Sequence, residues 1–349
     1  MLPQLLAAVL FLISINSEYI APDYDGFYRI NNDKHINSKQ IAFTVLGDWG
    51  GFPYFPFTTP IQYSAARLLS QVSSKNDVNF NLAIGDNFYY YGVESVNDKR
   101  WWYTYENMYK DKSLQVPWYP ILGNHDWQGN VTAQVEYSRF NQRWTMPDLY
   151  YTVTYTFDTD IKLTLIMIDT QIHCEPIGRT PVDSRFYPKR PTEEMRTKQL
   201  AWLENELKSS NSDDFLLIVG HYGIHYETFS QTCMKEVDDL LKEYNSTAYI
   251  NGHHHQVSHF SDHDEPKMNY LCSGYGALTQ LEKYKPEDGN ENKNIDINFL
   301  EMTLQGFNGG IMLAKANKDE MLVEFFHEGN KNGAEKPMHS LVLKNRNKK

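Results

Sequence analysis

From residue 41 to residue 50 the chain reads IAFTVLGDWG, an apolar run rich in strand-forming residues that ends in glycine and then presents Asp48. Apolar character that is continuous rather than alternating is typical of a strand buried on both faces. Gly47 lets the backbone turn sharply, so the next side chain points beyond the carboxyl end of the strand. The pattern therefore predicts a buried strand with a carboxylate at its tip.

The same design occurs at four other places in the chain. The runs are FNLAIGDNFY (residues 80–89), VPWYPILGNHDW (residues 116–127), DFLLIVGHYG (residues 214–223) and TAYINGHHHQ (residues 247–256). After the glycine they present Asp86, Asn124, His221 and His253. A single Gly-Asp after a strand is an ordinary turn, but five turns that each select Asp, Asn or His indicate a common site. Asp169 ends a similar run without a glycine, and we interpret it as a turn or hydrogen-bonding residue.

Segments of helical composition separate several of these runs. They are PIQYSAARLLSQVSS (residues 60–74), TEEMRTKQLAWLENELKSS (residues 192–210) and CMKEVDDLLKEY (residues 233–244). Alternation of strands and helices predicts an α/β fold. Ligands of such folds bind beyond the carboxyl ends of the strands, so we expect the five tips to converge.

The overall charge argues against a nucleic-acid partner. The 349 residues carry a formal net charge of −11 with a pI near 5.5, and no basic stripe interrupts this acidic balance. Hydrophobic residues make up 41% of the chain, which is enough for a substantial core. Residues 344–349, KNRNKK, are the one basic cluster, and we predict that they form a solvated tail.

The amino-terminal residues predict entry into the secretory pathway. Residues 1–17, MLPQLLAAVLFLISINS, form a short apolar run of the kind found in cleaved signal peptides. Residues 18–40 then form an extension without a readable role. No later segment holds about 18 uninterrupted apolar residues, so no membrane span is expected. Sequons at Asn130 and Asn245 are compatible with glycosylation in that pathway.

Cysteine usage fits an oxidising compartment. Cys174, Cys233 and Cys272 allow one disulfide and one free thiol, and the residues alone leave the pairing open. Cys272 lies in the apolar stretch NYLCSGYGAL (residues 269–278), for which we predict a buried, unreactive thiol.

The strand tips together supply more metal donors than one ion needs. The candidates are Asp48, Asp86, Tyr89, Asn124, His221, His253 and His255. In the run of three histidines, alternate side chains point the same way if the segment is extended, which directs His254 elsewhere. The set suits two metals about 3.5 to 4 Å apart that share a carboxylate. Carboxylate oxygen mixed with imidazole favours iron, manganese or zinc, and phosphate ester hydrolysis is the reaction that such a pair most naturally serves.

The five blocks resemble those of the metallophosphoesterases. They read GDWG, GDNFYYYG, GNHDW, GHYG and GHHH, and together they are a highly specific signal. Tyr89 in GDNFY narrows the resemblance to purple acid phosphatases of the small tartrate-resistant type, since generic metallophosphoesterases lack a tyrosine ligand there. The likeness covers residues 41–343. It implies a single domain built as a four-layer sandwich, in which two mixed β-sheets are flanked by helices.

The resemblance also implies a role for each site residue. Asp48, Tyr89 and His255 would bind a ferric ion, Asn124, His221 and His253 would bind a second divalent metal (iron, zinc or manganese), and Asp86 would bridge the two. His125 would contact the phosphate and help to protonate the leaving alkoxide. Cys174 and Cys233 would form the disulfide. The implied protein is a monomeric, secreted or lysosomal acid phosphatase that hydrolyses small phosphoesters or phosphoproteins with a metal-activated hydroxide.

Several alternatives stay open. A phosphodiesterase or nucleotide pyrophosphatase with the same metals, a non-catalytic secreted binding protein of the same fold, and iron-dependent generation of reactive oxygen all compete with this function. His254 stands where the family often has Asp, which changes the charge beside the metals and leaves the pH optimum open. Residues 175–192 form either a loop that an activating protease clips or an exposed connector. Residues 51–60, GFPYFPFTTP, either wall the pocket or pack beneath it.

Overall fold

Two β-sheets carry the fold in the computed structural model, which describes residues 33–175, 190–225, 228–262, 268–277, 295–298, 308–329 and 333–348. The strands are β1 (Lys34–Ile36), β2 (Ile41–Leu46), β3 (Phe80–Ile84), β4 (Trp118–Ile121), β5 (Tyr151–Phe157), β6 (Ile161–Met167), β7 (Phe215–Val219), β8 (Ala248–Asn251), β9 (Val257–Asp262), β10 (Asn269–Ser273), β11 (Ile295–Asn298), β12 (Gly310–Ala316), β13 (Glu320–His327) and β14 (His339–Lys344). The α-helices are α1 (Pro60–Asn76), α2 (Val131–Glu136), α3 (Thr170–Cys174), α4 (Glu193–Ser209), α5 (Thr228–Cys233) and α6 (Lys235–Glu243).

The five predicted strands are divided between the two sheets. The larger sheet has the order β1-β5-β6-β7-β8-β10-β9-β11, and the smaller has the order β14-β13-β12-β2-β3-β4. Strands β2, β3 and β4 are parallel neighbours in the smaller sheet, and β7 and β8 are parallel neighbours in the larger. Both sheets also contain antiparallel pairs. The predicted α/β fold with two mixed sheets flanked by helices is therefore confirmed.

An inner core joins the two sheets. Phe43 of β2 stacks on Phe80 of β3 with ring centroids 4.8 Å apart, and Phe80 stacks on Tyr155 of β5 at 4.7 Å. The three rings cross from the smaller sheet to the larger one. Burying an aromatic ring of this size stabilises the folded state by roughly 1.5–3 kcal/mol, so the stack fixes the spacing of the sheets.

Helices α4 and α6 cover the outer face of the larger sheet. Their buried side chains pack in a second core with the outward-facing residues of β7, and this core includes Leu203, Leu207, Val237, Leu241, Leu216 and Ile218. Thr192 caps α4, because its hydroxyl accepts a hydrogen bond from the Met195 amide at 3.2 Å. Thr59 caps α1 in the same way, and Pro60 occupies the first helical position. These caps mark the starts of two predicted helices.

Trp49 packs the loop after β2 against the loop after β3. It is fully buried, and it follows Asp48 at the end of β2. Its indole contacts the rings of Phe88, Tyr105, Tyr109, Trp118 and Trp144 at centroid distances of 5.5 to 6.2 Å. Tilted and edge-to-face pairs at such distances are favourable, so the cluster holds the loops that follow β2 and β3 against one another.

The larger sheet has an additional edge strand ahead of residue 41. Residues 34–36, which we assigned to the extension, form β1, and β1 pairs in parallel with β5 at the edge of the larger sheet. Lys34 also donates a hydrogen bond to the Tyr119 hydroxyl. A strand of three residues carries too short a pattern to be recognised in the sequence.

Residues 344–348, at the start of the predicted solvated tail, are partly packed against the body of the protein, although Lys344, Asn347 and Lys348 are exposed. Lys344 ends β14, and Asn345 is buried, with its amide donating to the Asp214 carboxylate at 2.9 Å. Arg346 donates to the backbone oxygens of Tyr244 at 2.7 Å and Asp213 at 3.2 Å. The tail is held because it meets carbonyl oxygens at the ends of helices that lie far away in the sequence.

Cys174 of α3 and Cys233 of α5 form a disulfide with Cα atoms 4.9 Å apart. Cys272 in β10 is buried and belongs to no disulfide, as its apolar surroundings predict. The predicted signal peptide, most of the extension and residues 176–189 of the predicted clipped loop lie outside the described residues. Within the described part of the chain, no helix is long and apolar enough to cross a membrane.

Replacing Cys174 and Cys233 together with alanine is expected to lower the free energy of unfolding by about 4 kcal/mol, because the disulfide closes a long loop in the unfolded chain. The two cysteines are 59 residues apart. Denaturant unfolding followed by tryptophan fluorescence measures the change. A reducing agent should reproduce the loss in the wild-type protein and have no further effect on the double variant. Equal midpoints for the two proteins would contradict the expectation.

Arg346→Ala is expected to lower the free energy of unfolding by roughly 1–3 kcal/mol, because it removes the donor from partly buried carbonyl oxygens of Tyr244 and Asp213. Lys348→Ala removes a basic residue from the same segment and serves as the matched control. Lys348 is exposed and pairs with Asp319 on the surface, so its loss should change stability little. Equal effects of the two substitutions in the same unfolding assay would show that the tail is not anchored through Arg346.

Candidate metal centre

The strand tips that carry the predicted donors hold an unusual backbone conformation. Asp48, Asp86 and His253 have φ angles of 56°, 51° and 68°, in the left-handed region that side chains other than glycine rarely adopt. Each such residue costs on the order of 1–3 kcal/mol. Strain at three strand tips is typical of a functional site, where the surrounding structure holds side chains in an unfavourable conformation.

The glycines at the tips are required by close approach. A Cβ atom on Gly123 would lie 2.2 Å from Oδ1 of Asp86, and one on Gly252 would lie 2.7 Å from Oδ2 of Asp48. Backbone from one tip therefore passes directly against the carboxylate of another. Gly followed by a polar residue is a general turn pattern, but here the absence of a side chain lets the tips meet.

One group of donors gathers around Asp48. Ligand atoms of Asp48, Asp86 and His255 all lie within 4.8 Å of one another. The Tyr89 hydroxyl donates to Asp48 Oδ1 at 3.2 Å and lies 2.9 Å from Nε2 of His255. Asp48 and Tyr89 are fully buried, while His255 is partly exposed. Two carboxylates, a phenol and an imidazole thus face one small volume.

A second group gathers on the other side of Asp86. Ligand atoms of Asp86, His221 and His253 lie within 4.8 Å of one another. Nε2 of His221 is 3.4 Å from Oδ1 of Asp86 and 3.3 Å from the side-chain oxygen of Asn124. Asp86 is the member that both groups share. The structure therefore brings all seven predicted donors together, with one carboxylate between two sets.

Backbone contacts orient the donors. Nδ1 of His221 lies 2.9 Å from the Ile84 carbonyl oxygen, which leaves Nε2 to face Asp86. The His253 amide donates to Asp48 Oδ2 at 2.8 Å, and the His125 amide donates to Asp86 Oδ1 at 3.0 Å. Each of these two carboxylates is thus held by an amide from another strand tip.

The electrostatics of the site favour a cation. Burial alone would raise the pKa of Asp86, but the neighbouring His221 and His125 keep that pKa below its usual range. Burial opposes a charge on His221, yet Asp86 raises the pKa of that imidazole to about 9. Positive charge is therefore stabilised at Nε2 of His221, whether as a proton or as a metal ion.

The chemistry of the donors fits a pair of metal ions. Carboxylate, phenol and amide oxygens with imidazole nitrogens are typical ligands of iron, manganese and zinc. Burial, with Asp48 and Asp86 nearby, raises the pKa of Tyr89 well above its usual range, so a phenolate at this place needs a cation beside it. One set would consist of Asp48, Tyr89 and His255 and the other of Asn124, His221 and His253, with Asp86 between them.

His125 lies beside the donors without belonging to either group. Its Nδ1 is 2.8 Å from the Tyr90 carbonyl oxygen, and its ring centroid is 4.9 Å from that of Tyr89. The residue is partly exposed, so its second nitrogen can reach a bound molecule. That placement suits a group that handles a proton.

His254 is in neither group, but not because the segment is extended: residues 253–256 are bent, and His253 has a φ of 68°. It is 5% exposed, and burial lowers its pKa to about 3, so it brings no positive charge to the site. His225 lies outside both groups, and its ring packs against Tyr270 with centroids 4.2 Å apart.

Asp126, which no sequence pattern singles out, binds the backbone of two of the strand tips beneath the donors. Its carboxylate accepts hydrogen bonds from the amides of Asn87 at 3.0 Å and Gly123 at 2.8 Å and from the Gln134 side chain at 2.8 Å. Burial and the nearby Asp86 raise its pKa to about 6. An aspartate directly after a histidine carries no distinctive signal, and only its complete burial marks it.

Asp169 has the hydrogen-bonding role predicted for it. Its carboxylate accepts from the Gln171 amide at 2.9 Å at the start of α3 and from the indole of Trp127 at 2.8 Å. Burial raises its pKa to about 7. The residue therefore ties the loop after β4 to the end of β6.

The chain matches known proteins over most of its length. The family model described as calcineurin-like phosphoesterase matches residues 41–257. Tartrate-resistant acid phosphatase type 5 of Oryctolagus cuniculus is 35% identical over 284 residues, which are 76% of this chain and 85% of that protein. Purple acid phosphatase 7 of Arabidopsis thaliana is 30% identical over 267 residues, which are 74% of this chain and 77% of that protein.

Solved structures share the fold at lower identity. The structure described as GAP50, the anchor in the inner membrane complex of Plasmodium, has a TM-score of 0.69 at 22% identity, with 89% of this chain and 90% of that chain covered. The purple acid phosphatase PPD1 from yellow lupin (Lupinus luteus) has a TM-score of 0.55 at 14% identity, with 88% of this chain and 54% of that chain covered.

The sequence matches and the geometry agree with one another. The relatives are named purple and tartrate-resistant acid phosphatases, a family that implies a dinuclear metal centre, and the two donor groups that share Asp86 fit such a centre. The chain therefore belongs to the calcineurin-like phosphoesterases and, within them, to the family of purple, tartrate-resistant acid phosphatases.

Proposed function

We propose that the protein hydrolyses phosphomonoesters at a dinuclear centre that contains ferric iron and a second divalent ion of iron, zinc or manganese. The observation that carries the proposal is that two donor groups share Asp86. Within each group, the ligand atoms lie within 4.8 Å of one another. When bound, the metal pair supplies an activated water nucleophile and positive charge for the phosphoryl oxygens. The complete donor set supports an enzyme rather than a binding protein that retains only the fold.

Different residues of the protein would hold each of the two metal ions. Asp48, Tyr89 and His255 would hold the ferric ion, and the oxygen-rich character of this set suits the harder ion. Asn124, His221 and His253 would hold the divalent ion. Buried aromatic rings around Trp49 keep the loops after β2 and β3 together, so Asp48 stays beside Asp86 and Tyr89.

His125 is the candidate general acid. Its Nδ1 faces the Tyr90 carbonyl oxygen at 2.8 Å, so a proton on Nδ1 is fixed there and Nε2 is left to deliver one to the departing alkoxide. Its amide is tied to Asp86 Oδ1, which sets the imidazole beside the centre. The alkoxide leaves as the neutral alcohol once it takes the proton from Nε2.

We also propose that the protein is secreted or lysosomal. The signal-like residues 1–17, the disulfide of Cys174 and Cys233, and two exposed sequon asparagines support this placement. Asn130 is exposed at the start of α2, and Asn245 is exposed in the turn after α6. Both positions leave room for a glycan on the surface.

Clipping of residues 175–192 is a proposal that rests on the arrangement of the loop ends. Arg190 lies 4.0 Å from Glu175, and Cys174 is bonded to Cys233, so the two ends stay joined after a cut. A clipped chain would therefore remain one covalently linked molecule. Comparison of activity before and after limited proteolysis tests whether the loop restrains the enzyme.

Hydrolysis of para-nitrophenyl phosphate and bis(para-nitrophenyl) phosphate by the metal-loaded protein tests the proposed reaction. We expect clear turnover of the monoester and little turnover of the diester. A preference for the diester would replace the proposed activity with that of a phosphodiesterase. If Asp86→Ala keeps its activity toward both substrates, the proposed metal centre is not the site of the reaction.

The metal-loaded protein is expected to be purple and to contain about two metal ions per chain. Tyr89→Phe should abolish the broad visible band, because the colour would come from charge transfer between a tyrosinate and ferric iron. Visible absorption and metal analysis on the same samples measure both properties. Tyr151→Phe, which removes another buried tyrosine hydroxyl, is the control and should keep the colour. A band that survives in Tyr89→Phe would rule out Tyr89 as its source.

His125→Ala is expected to lower kcat by roughly 10²–10⁴ for an alkyl phosphate, because the alkoxide then leaves without a proton. The loss should be smaller for para-nitrophenyl phosphate, whose leaving group needs no proton. Steady-state kinetics with both substrates, together with metal analysis of the variant, separate this role from a loss of metal. Equal losses for the two substrates would contradict a general-acid role.

A further inference from the structure

A line of aromatic rings runs from His125 to the protein surface. The Tyr90 ring lies 5.5 Å from the His125 ring, Phe52 lies 6.3 Å from Tyr90, and Tyr54 lies 5.7 Å from Phe52, all as centroid distances. Each pair is inclined by more than 60°, in the edge-to-face manner that aromatic rings prefer. We refer to Tyr90, Phe52 and Tyr54 as the aromatic rail.

The outer rings of the rail are open to solvent. Phe52 is 39% exposed and Tyr54 is 68% exposed, while Tyr90 is partly buried beside the site. Rings that served only to fill the interior would be covered, as Trp49 is. Residues 52 and 54 are therefore not simply packed in the interior. The inner part of residues 51–60 packs, since Phe57 contacts Tyr103 at 5.6 Å.

The loop that carries Phe52 and Tyr54 is firmly held. Gly51 has a φ of 66°, and a Cβ atom there would lie 2.2 Å from the Phe57 carbonyl oxygen, so the loop folds tightly back on itself. The same oxygen accepts a hydrogen bond from the Thr104 hydroxyl at 2.7 Å, and the Phe57 amide donates to the Tyr54 oxygen at 2.6 Å. The rail is thus a preformed surface that needs no ordering before a molecule binds.

We propose that the aromatic rail is the leaving-group subsite and that it selects phosphomonoesters whose alcohol carries an aromatic ring close to the ester oxygen. The inference rests on the proposed phosphatase function and adds the class of substrate. The first ring of the rail contacts His125, the residue that would protonate the leaving oxygen. The alcohol must therefore depart past His125, where the rail begins.

The chemistry of ester hydrolysis explains why the alcohol would leave along the aromatic rail. The ester P–O bond breaks, a water oxygen takes its place on phosphorus, and the alkoxide takes a proton through His125, so the products are inorganic phosphate and a neutral aromatic alcohol. A flat ring attached near that oxygen can lie against Tyr90 and Phe52 while the phosphate stays at the donors. Covering the exposed Phe52 ring buries apolar surface and adds an aromatic pair.

Phenethyl phosphate and cyclohexylethyl phosphate form a matched pair of substrates, because both release a primary alcohol of similar size and acidity and differ in the aromatic character of the ring. We expect the wild-type protein to prefer phenethyl phosphate by roughly three- to tenfold in kcat/KM. Phe52→Leu should bring the ratio of the two kcat/KM values close to one. Phe52→Tyr, which keeps a ring, should preserve the preference.

Phe140→Leu is the control for loss of an exposed aromatic residue. Phe140 is 68% exposed, and its ring contacts Tyr137, outside the rail. Its substitution should leave the ratio unchanged. A wild-type ratio of one, or an unchanged ratio in Phe52→Leu, would overturn the subsite.

Binding of the corresponding phosphonates, phenethylphosphonate and cyclohexylethylphosphonate, separates this inference from the function on which it rests. Calorimetric titration of the metal-loaded protein should show tighter binding of the aromatic compound and loss of that difference in Phe52→Leu. If neither ester is hydrolysed but the phosphonates keep this pattern, the proposed phosphatase activity fails and the subsite stands. Equal binding of the two phosphonates with normal ester hydrolysis would remove the subsite and keep the activity.

Discussion

The carboxylate of Asp86 is the point on which the site depends, because donors from both sheets meet around it. It lies at the end of β3 in the smaller sheet, yet its neighbour His221 comes from β7 in the larger one. A buried carboxylate is costly unless it is paired, so the imidazole of His221 and the amide of His125 are required neighbours. Satisfying this one charge brings three strand tips into contact.

The need to bring these donors together around Asp86 also explains the backbone strain and the glycines at the strand tips. Asp48, Asp86 and His253 adopt left-handed backbone conformations, and glycine precedes each of them, so the chain accepts an unfavourable turn in order to aim these side chains. Interactions elsewhere must offset that cost. The stack of Phe43, Phe80 and Tyr155 between the sheets is one source of this stability.

Much of the fold and of the candidate site could be predicted because both repeat one local pattern. An apolar run, a glycine and a polar donor lie next to one another in the chain. Each of the five runs is a strand in the structure, and its donor lies with the others, Asn124 through its contact with His221. The features that were missed depend on distant partners. Asp126 is defined by hydrogen bonds to Asn87 and Gln134, and Arg346 by carbonyl oxygens about a hundred residues away, so neither leaves a local signature.

Both donor groups contain a histidine from the same late part of the chain. His253 completes one group and His255 the other, whereas Asp48, held by the His253 amide, lies 205 positions earlier. A growing chain that ends before residue 253 therefore contains neither complete group, however well its first strands have formed. Neither group could hold a metal ion until most of the polypeptide has been synthesised.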